Sequence, residues 1–497
     1  MDLSGRPRLR LAWHALLVLG VALLLMAPAL WNGYPLIYFD SEDYVEMSFT
    51  WTPIVYRIMG YATFVSLAKP FGTLWAVVWI QALMMAWLLR EAVWAFISRW
   101  RPHMYVILAL ALALLTGLPW VTSQVMADVF AGMAVLGFAV LAFGDVLPRW
   151  RRLVIVPMVA VSLGVHMSHV AVGLGLVLSI LVVWLAARWL RRMPRPRLAL
   201  PILAVALGTL SVPAVHWLAT GRAFFSESGQ VLQLALFVQD GLAKKYLDEV
   251  CPAGAQLKMC DHKDELPWTA DEFLWGASPF DEMGGWKAMH DEASVIVKGA
   301  IRLFPLDVAR AMVNNTLMQL DLIGVGEDLV PMTWHFVKTE LKRYPGDFRA
   351  FRFARQQRRE GIRFDEINRL QVPVAQAAEV ALIVLTFFAW RRRDRISVGL
   401  SIVVLLALLG NAFVCGALSN PHDRYQNRLV WLALFAAAVS AVRLDQRFTI
   451  RRPPLRLPLR EHHQPDPEPD QPPLDGNLRP IQSETVSGRQ AASQDSA

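Results

Sequence analysis

Long apolar runs dominate the chain, and short basic clusters separate them. Segments near 11–30, 72–89, 104–120, 124–143, 153–168, 170–187, 198–218, 374–390, 396–416 and 428–443 are apolar enough to read as membrane-spanning helices. Each approaches the ~20 residues that a bilayer core demands. The basic clusters run from Arg6 to Arg10, Arg90 to Arg101, Arg149 to Arg152, Arg188 to Arg197, Arg391 to Arg395, and from Arg443 onward. About ten spans with both termini in the cytoplasm put every cluster inside, as the positive-inside rule requires. The segment from Thr52 to Leu67 competes for the status of a span. Counting it would move Arg90 to Arg101 outside, and it carries Arg57 in its middle. It is therefore expected as a helix lying in the outer interface.

Two features break the regular pattern. Two spans share residues 153 to 187, with His166-Met167-Ser168-His169 at the break. Polar backbone at such a break must be covered by protein or water, so two short helices are expected to meet in a recess near the outer surface. Residues 219 to 373 are mixed polar and apolar and form the expected outer, mainly helical domain. Within it, Ala293 to Leu320 has helical periodicity interrupted by Pro305, and Met332 to Arg359 is basic and aromatic. Beyond about Arg451 the chain is rich in Pro, Gln, Asp and Ser, and a disordered cytoplasmic tail is expected over 446–497.

Composition agrees with this reading. Of 497 residues, 55% are hydrophobic and 18% charged, and the mean hydropathy is +0.37. That fits an all-α polytopic membrane protein. The net charge of +8 lies in the inter-span clusters and is not a nucleic-acid signal. The first apolar run is long and no small-residue cleavage motif follows it, so it reads as an anchor rather than a signal peptide. Cys415 lies in an apolar run and reads as a packing residue. Cys251 and Cys260 lie in the long polar segment, and a disulfide is expected there if that segment meets an oxidising compartment. With His262 nearby the set still falls short of a zinc site.

The polar groups at span ends converge on one side. Asp40, Glu42, Asp43 and Glu46 follow span one, putting three carboxylates into Asp40-Ser41-Glu42-Asp43. Arg57 lies in the interface segment, and Asp128 about one turn into span four. His166 and His169 mark the break. His216 and Arg222 end span seven, and His422, Asp423, Arg424, Tyr425 and Arg428 lie between the last two spans. All are outside in the assigned topology, and the helix centres carry almost no charge. Ion-coupled transporters concentrate ionisable groups near the midplane instead. A rim with both arginines and carboxylates suits chemistry on a lipid-linked phosphate. Arginine binds phosphate through two N–H donors, and a carboxylate takes a proton from a hydroxyl. Each group also has a structural reading. Asp40 or Ser41 is a plausible N-cap with Asp43 or Tyr44 in the first turn. Asp128 can bond a neighbouring helix, the histidines can be structural, and Arg424 and Arg428 can be snorkelling anchors.

The layout and short motifs resemble the GT-C superfamily of membrane glycosyltransferases over about residues 1 to 445. The acidic first-loop motif would be Tyr38-Phe39-Asp40-Ser41-Glu42-Asp43-Tyr44, followed by the Thr52–Leu67 segment. Ser123-Gln124-Val125-Met126-Ala127-Asp128 looks like the second acidic position, and Asp423-Arg424-Tyr425 like the pair before the last span. The chain departs in having no Asp-x-Asp or Glu-x-x-Tyr form, and in placing its outer domain before the last three spans. The resemblance implies transfer of a sugar from a polyprenyl-phosphate carrier to a lipid, glycan or protein acceptor on the outer face of a bacterial inner membrane, with inversion. Asp40 would be the base. Asp43 would orient the acceptor or, with Asp40, hold a divalent cation, Mg or Mn. Arg424 and Arg57, with His166 or His169, would stabilise the leaving phosphate. Glu42, Tyr44, Asp128, His422, Tyr425 and Arg428 would complete the substrate site. Competing readings are a lipid-linked glycan flippase or other transporter, a membrane acyltransferase built on His166 or His169, and an inactive envelope-assembly protein on the same scaffold.

Overall fold

Every apolar run folds into a helix, because a chain segment without polar side chains satisfies its backbone only by bonding to itself. The structure, a computed structural model, describes residues 7–97, 102–190, 193–332, 341–359 and 361–451. The tail beyond 451 and the stretch 333–340 inside the basic, aromatic Met332–Arg359 run lie outside the described residues, as do Arg6 and parts of two basic clusters. Among the described residues there is no strand. A single parallel bridge joins Leu36 to Gln124.

Six helices are long and apolar enough to cross a membrane: Trp75–Phe96, Met167–Trp189, Ala199–Thr220, Phe364–Arg391, Arg395–Ala417 and Asp423–Gln446. The remaining apolar runs form shorter helices, and the reasons are local. Span one breaks at Met26, leaving Pro7–Leu25 and a short Ala27–Asn32 helix. The run 104–120 stops at Leu115 and resumes only as Leu118–Thr122, after Thr116-Gly117. The helix expected from 124 begins instead at Asp128, because Gln124 is spent on the bridge to Leu36. The helix Asp128–Phe143 is nonetheless buried along its whole length and packs on the Arg149–Gly164 and Arg395–Ala412 helices. The second member of the broken pair is not short: Met167–Trp189 has 23 residues.

The segment Thr52–Leu67 is not one helix. The preceding helix, Phe39–Thr50, ends with Trp51 in a left-handed conformation (φ 53°), and Pro53 then biases Thr52 toward an extended backbone. Helix resumes only at Gly60–Val65, so Arg57 sits on an irregular loop. That loop lies against the broken pair: a Cβ on Gly60 would come within 1.9 Å of the Gly164 carbonyl oxygen.

The long polar segment packs in two ways. Side chains between Val231 and Val308 build a separate apolar core. Ile323, Leu329, Leu341, Tyr344 and Phe351 join the core of the bundle instead. Cys251 and Cys260 form a disulfide in the first part, with Cα atoms 5.7 Å apart. In the second part, Asp347 accepts from Tyr34 Oη at 2.8 Å, Thr73 Oγ1 at 2.7 Å and the Leu74 amide at 2.8 Å. Gln356 brackets Ile37, accepting from its amide at 3.1 Å and donating to its carbonyl at 2.6 Å. The first loop is thus clamped from residues more than 300 positions away.

Basic clusters from distant parts of the chain gather at one end of the bundle. Arg197 bonds Gly144 O, and its amide donates to Ala142 O at 2.9 Å. The Asp145 amide donates to Ala95 O at 3.0 Å, Arg151 pairs with Glu91 at 3.0 Å, and Arg443 pairs with Asp394 at 2.9 Å. The first-loop acids lie at the other end, near Asp128 and Arg428.

Candidate functional site

Asp40 does not cap its helix. Tyr38 is the N-cap, and its amide donates to Ser41 Oγ at 3.0 Å. Ser41 in turn donates to Val125 O at 2.9 Å, next to the Leu36–Gln124 bridge. Asp40 therefore sits in the first helical turn, where the backbone N–H groups favour a negative charge. The expectation that Asp40 or Ser41 is the cap is corrected: the capping is done by Tyr38 and Ser41 together, and Asp40's carboxylate is left for arginines.

Two arginines take it. Oδ1 accepts from Arg57 Nη2, and Oδ2 from Arg424 Nη1 at 3.0 Å. Arg57 also bonds Asp43 through Nε at 3.0 Å. Burial by itself would raise the pKa of Asp40. Arg57 and Arg424 outweigh it and hold the carboxyl below its ordinary value. For Asp43 burial outweighs Arg57, and the pKa is raised. Glu42 is half-buried on the same turn, and Tyr44 is buried with its ring edge-on to Tyr61 at 4.8 Å.

Arg424 carries the second carboxylate contact of the site. Its amide donates to Glu327 Oε2 at 3.0 Å, while Glu327 Oε1 lies 2.8 Å from His422 Nδ1. His422 Nε2 is 3.5 Å from Asp271. Burial disfavours a charge on His422, but Asp271 and Glu327 prevail and push its pKa up to about 10. Glu327 is held below its ordinary value against the opposing effect of burial, by His422 and Arg424. The Arg424 guanidinium lies over the rings of Tyr38 at 4.5 Å and Tyr425 at 4.8 Å. Arg428 also lies over the Tyr425 ring, at 5.1 Å.

Arg428 is buried and bonds Asp128 at 3.0 Å, Ser168 Oγ at 2.9 Å and Asn411 Oδ1 at 3.0 Å. It also contacts Cys415 Sγ at 3.2 Å, in a π-helical turn Phe413–Ala417. Ser168 Oγ lies 2.8 Å from His166 Nδ1. His166 is also the N-cap of its helix, accepting from the Ser168 amide. His169 is buried, with Nδ1 2.9 Å from Ser162 O. The histidine rings are 5.2 Å apart.

Most of the residues named from the sequence thus fall into two adjoining sets, whereas His216, with Nδ1 2.8 Å from Phe224 O, and Arg222, 3.5 Å from Glu227, join neither. Asp40, Asp43, Arg57, His422, Arg424 and Tyr425 form one. Asp128, His166, His169 and Arg428 form the other, and the Tyr425 ring contacts both Arg424 and Arg428. A cavity with room for about one water lies against both, lined by Tyr38, Gln124, Asp128, Glu327, Arg424 and Asn427. Gly326 forms part of its wall with φ +93°, and a Cβ there would run into the Phe364 ring. No group of three or more His, Cys, Asp or Glu placed to hold a metal is found among the described residues. The carboxylates considered for a divalent cation, Asp40 and Asp43, are both paired with Arg57.

Sequence reasoning missed Glu327, Asp328, Asp271 and Asn411. Asp328 accepts from Tyr38 Oη at 2.9 Å. Gly324-Val325-Gly326-Glu327-Asp328 carried a signal, since two turn-forming glycines lead directly into two carboxylates. So did Asn411, a lone amide inside an apolar run, which is a functional hint by default. The chain matches no protein-family model, no curated protein and no solved structure.

Proposed function

We propose that this protein is a membrane glycosyltransferase of the GT-C type, moving a sugar from a polyprenyl-phosphate carrier to an acceptor hydroxyl. The observation that carries the reading is one buried carboxylate, Asp40, shared by two arginines from segments 367 residues apart, Arg57 and Arg424. A carboxylate kept ionised at neutral pH is a base for a hydroxyl, and two arginines are a receptor for phosphate. In this reading the donor phosphate draws Arg424 away from Asp40 and unmasks the base. Asp40 takes the acceptor proton, and the acceptor oxygen attacks the anomeric carbon. The carbon–oxygen bond to phosphate breaks on the opposite face. The polyprenyl phosphate leaves with the bonding pair, and Arg424 and Arg57 meet its charge.

An apolar groove of about 370 Å³ supports the same reading. Leu24, Trp31, Leu114, Trp120, Ile367 and Leu370 line it, which suits an isoprenoid chain. Arg355 stacks over the lining residue Trp31 at 4.6 Å. Trp120 of the groove packs on Phe364 with centroids 5.1 Å apart, and Phe364 packs against Gly326 of the polar cavity's wall. The Asp128–Phe143 helix is apolar after its first residue and wholly buried, which weighs against a transport path through the bundle. We further propose about ten membrane crossings, counting the shorter apolar helices. In this proposal both termini and the basic end lie on the cytoplasmic side of a bacterial inner membrane. The site and the Val231–Val308 domain face the other side.

The test is direct. Purified protein in nanodiscs is given polyprenyl-phosphate sugars labelled in the sugar, and release of polyprenyl phosphate is followed. Release that requires Asp40 is expected. Folded protein that turns over no such donor, with or without added Mg or Mn, overturns the proposal.

A further inference from the structure

Tyr56 stands directly before the site arginine Arg57 in the chain, and its ring lies 5.5 Å from that guanidinium. Two tryptophans from the Val231–Val308 domain meet it there. Trp275 and Trp286 each have ring centroids 5.0 Å from that of Tyr56, and they are 5.3 Å from one another. Phe280 backs the group, edge-on to Trp286 at 5.6 Å. Residues more than 200 positions apart thus build one aromatic cluster beside the charged site. The cluster is not sealed as a core would be. Trp275 is 54% exposed, and Tyr56 and Trp286 are half-buried. A partly exposed aromatic cluster beside a polar site is a surface on which a ligand can dock.

The surrounding charge narrows the occupant. From Trp268 to Trp286 the chain carries Asp271, Glu272, Asp281 and Glu282, against Lys287 next in sequence and Lys258, whose Nζ donates to Met283 O at 2.9 Å. Glu42 and Asp43 lie on the neighbouring helix turn. Carboxylates outnumber the cations Lys258, Lys287 and Arg57 around the rings, a balance that disfavours anionic lipid headgroups and phosphates. Carboxylates accept hydrogen bonds from hydroxyl groups, and the negative face of an aromatic ring attracts the polarised C–H bonds of a pyranose. A neutral, hydroxyl-rich ring with an apolar face satisfies both demands.

We infer that Tyr56, Trp275 and Trp286 form a platform that binds a neutral saccharide. Its role as the acceptor subsite rests on the transferase reading, but saccharide binding does not. The platform presents a sugar hydroxyl toward Asp40 past Arg57, which touches both the platform and the base.

Saturation-transfer difference NMR on the full chain in nanodiscs tests binding without requiring turnover. The probes are neutral hexasaccharides of glucose, mannose, galactose and arabinose. At least one is expected to receive saturation from the aromatic protons at its ring C–H positions. Trp275→Ala and Trp286→Ala are expected to weaken that binding by about five- to tenfold, the scale of one lost aromatic contact. Trp275→Phe retains most of it. Trp268→Ala, at a 90% exposed position outside the cluster, leaves it unchanged. Binding that is lost in the alanine variants while donor turnover is absent in the wild type sustains the platform and removes the transferase reading. Absence of binding by all four hexasaccharides overturns the platform. So does binding indifferent to both alanine variants, or quenching of Trp275 by brominated lipids, which would make it a membrane anchor.

Discussion

Two buried arginine–carboxylate pairs stand at opposite ends of the helix that starts at Asp423, about 28 Å apart by helical rise, and they are built differently. At the basic end, Arg443 spends all three guanidinium nitrogens. Nε and Nη2 grip the two oxygens of Asp394 at 2.9 Å each, and Nη1 bonds Phe96 O. Ser397 adds a donor to the same carboxylate at 2.8 Å. At the site end, Arg424 holds Asp40 by one nitrogen, its Nε has no hydrogen-bond partner, and it borders a cavity. Arg428 also keeps an Nε without a partner. A fully satisfied bidentate pair is a staple between helices. An unpartnered Nε also occurs at Arg151 of the basic end, so what sets Arg424 apart is that it borders a cavity as well. In the transferase reading, a phosphate there would gain contacts that the carboxylate leaves unused.

The same substitution at the two ends breaks the comparison most sharply. Asp40→Asn keeps the shape of the side chain and removes its basicity. Transfer should fall by about 10²–10⁴-fold, while the protein remains folded and in the membrane by size-exclusion and circular dichroism. Retention of near-wild-type transfer would make Asp40 a structural acid like Asp394. Asp394→Asn should do the reverse. It leaves the buried Arg443 without its counter-charge, which costs about 3–5 kcal/mol of stability. Thermal unfolding in detergent reads this, and transfer per folded molecule stays unchanged.

Arg424→Ala sharpens the contrast on the arginine side. In the transferase reading Arg424 binds the donor phosphate, and removing those charged hydrogen bonds should cost about 1.5–3 kcal/mol. That appears as a combined loss in donor KM and kcat with the acceptor KM unmoved. An effect confined to stability would class Arg424 with Arg443. The smallest effect concerns His422, which ties the site to Asp271 and Glu327. Its pKa is raised to about 10 from an ordinary value of about 6.5. Its contribution to stability is therefore fully present below about pH 6.5 and is lost as pH rises through about 10. The unfolding temperature should decline over that window in the wild type and decline less in His422→Gln. Parallel profiles would show that the imidazolium adds nothing.

The helices themselves were legible because apolar side chains and a self-satisfying backbone leave a membrane segment no alternative. The end where the basic residues gather was legible for a similar reason, since charge clusters between apolar runs sort to one side. Helix limits were less so. Nothing local in Gln124-Val125-Met126-Ala127 forbids a helix, and only the partner Leu36 explains why these residues stay extended. In the site, the chain announced Asp40, Asp43 and Arg424 as polar groups at span ends. It did not announce that Asp40 and Arg424, 384 positions apart, would share a hydrogen bond, or that Glu327 would be the second anchor of Arg424.

The sequence by itself determined that this is a helical chain with apolar helices long enough to cross a membrane, a basic end, and, Glu379 apart, acids and arginines held away from the centres of those helices. Those properties depend on the preferences of single residues for lipid, water and helix. Which arginine meets which carboxylate was decided only in the folded bundle. So were the reserve donors of Arg424 and Arg428, and the meeting of Tyr56 with Trp275 and Trp286. A buried charge takes whichever partner the packing brings within about 3 Å, and that distance is set by every helix between the two residues.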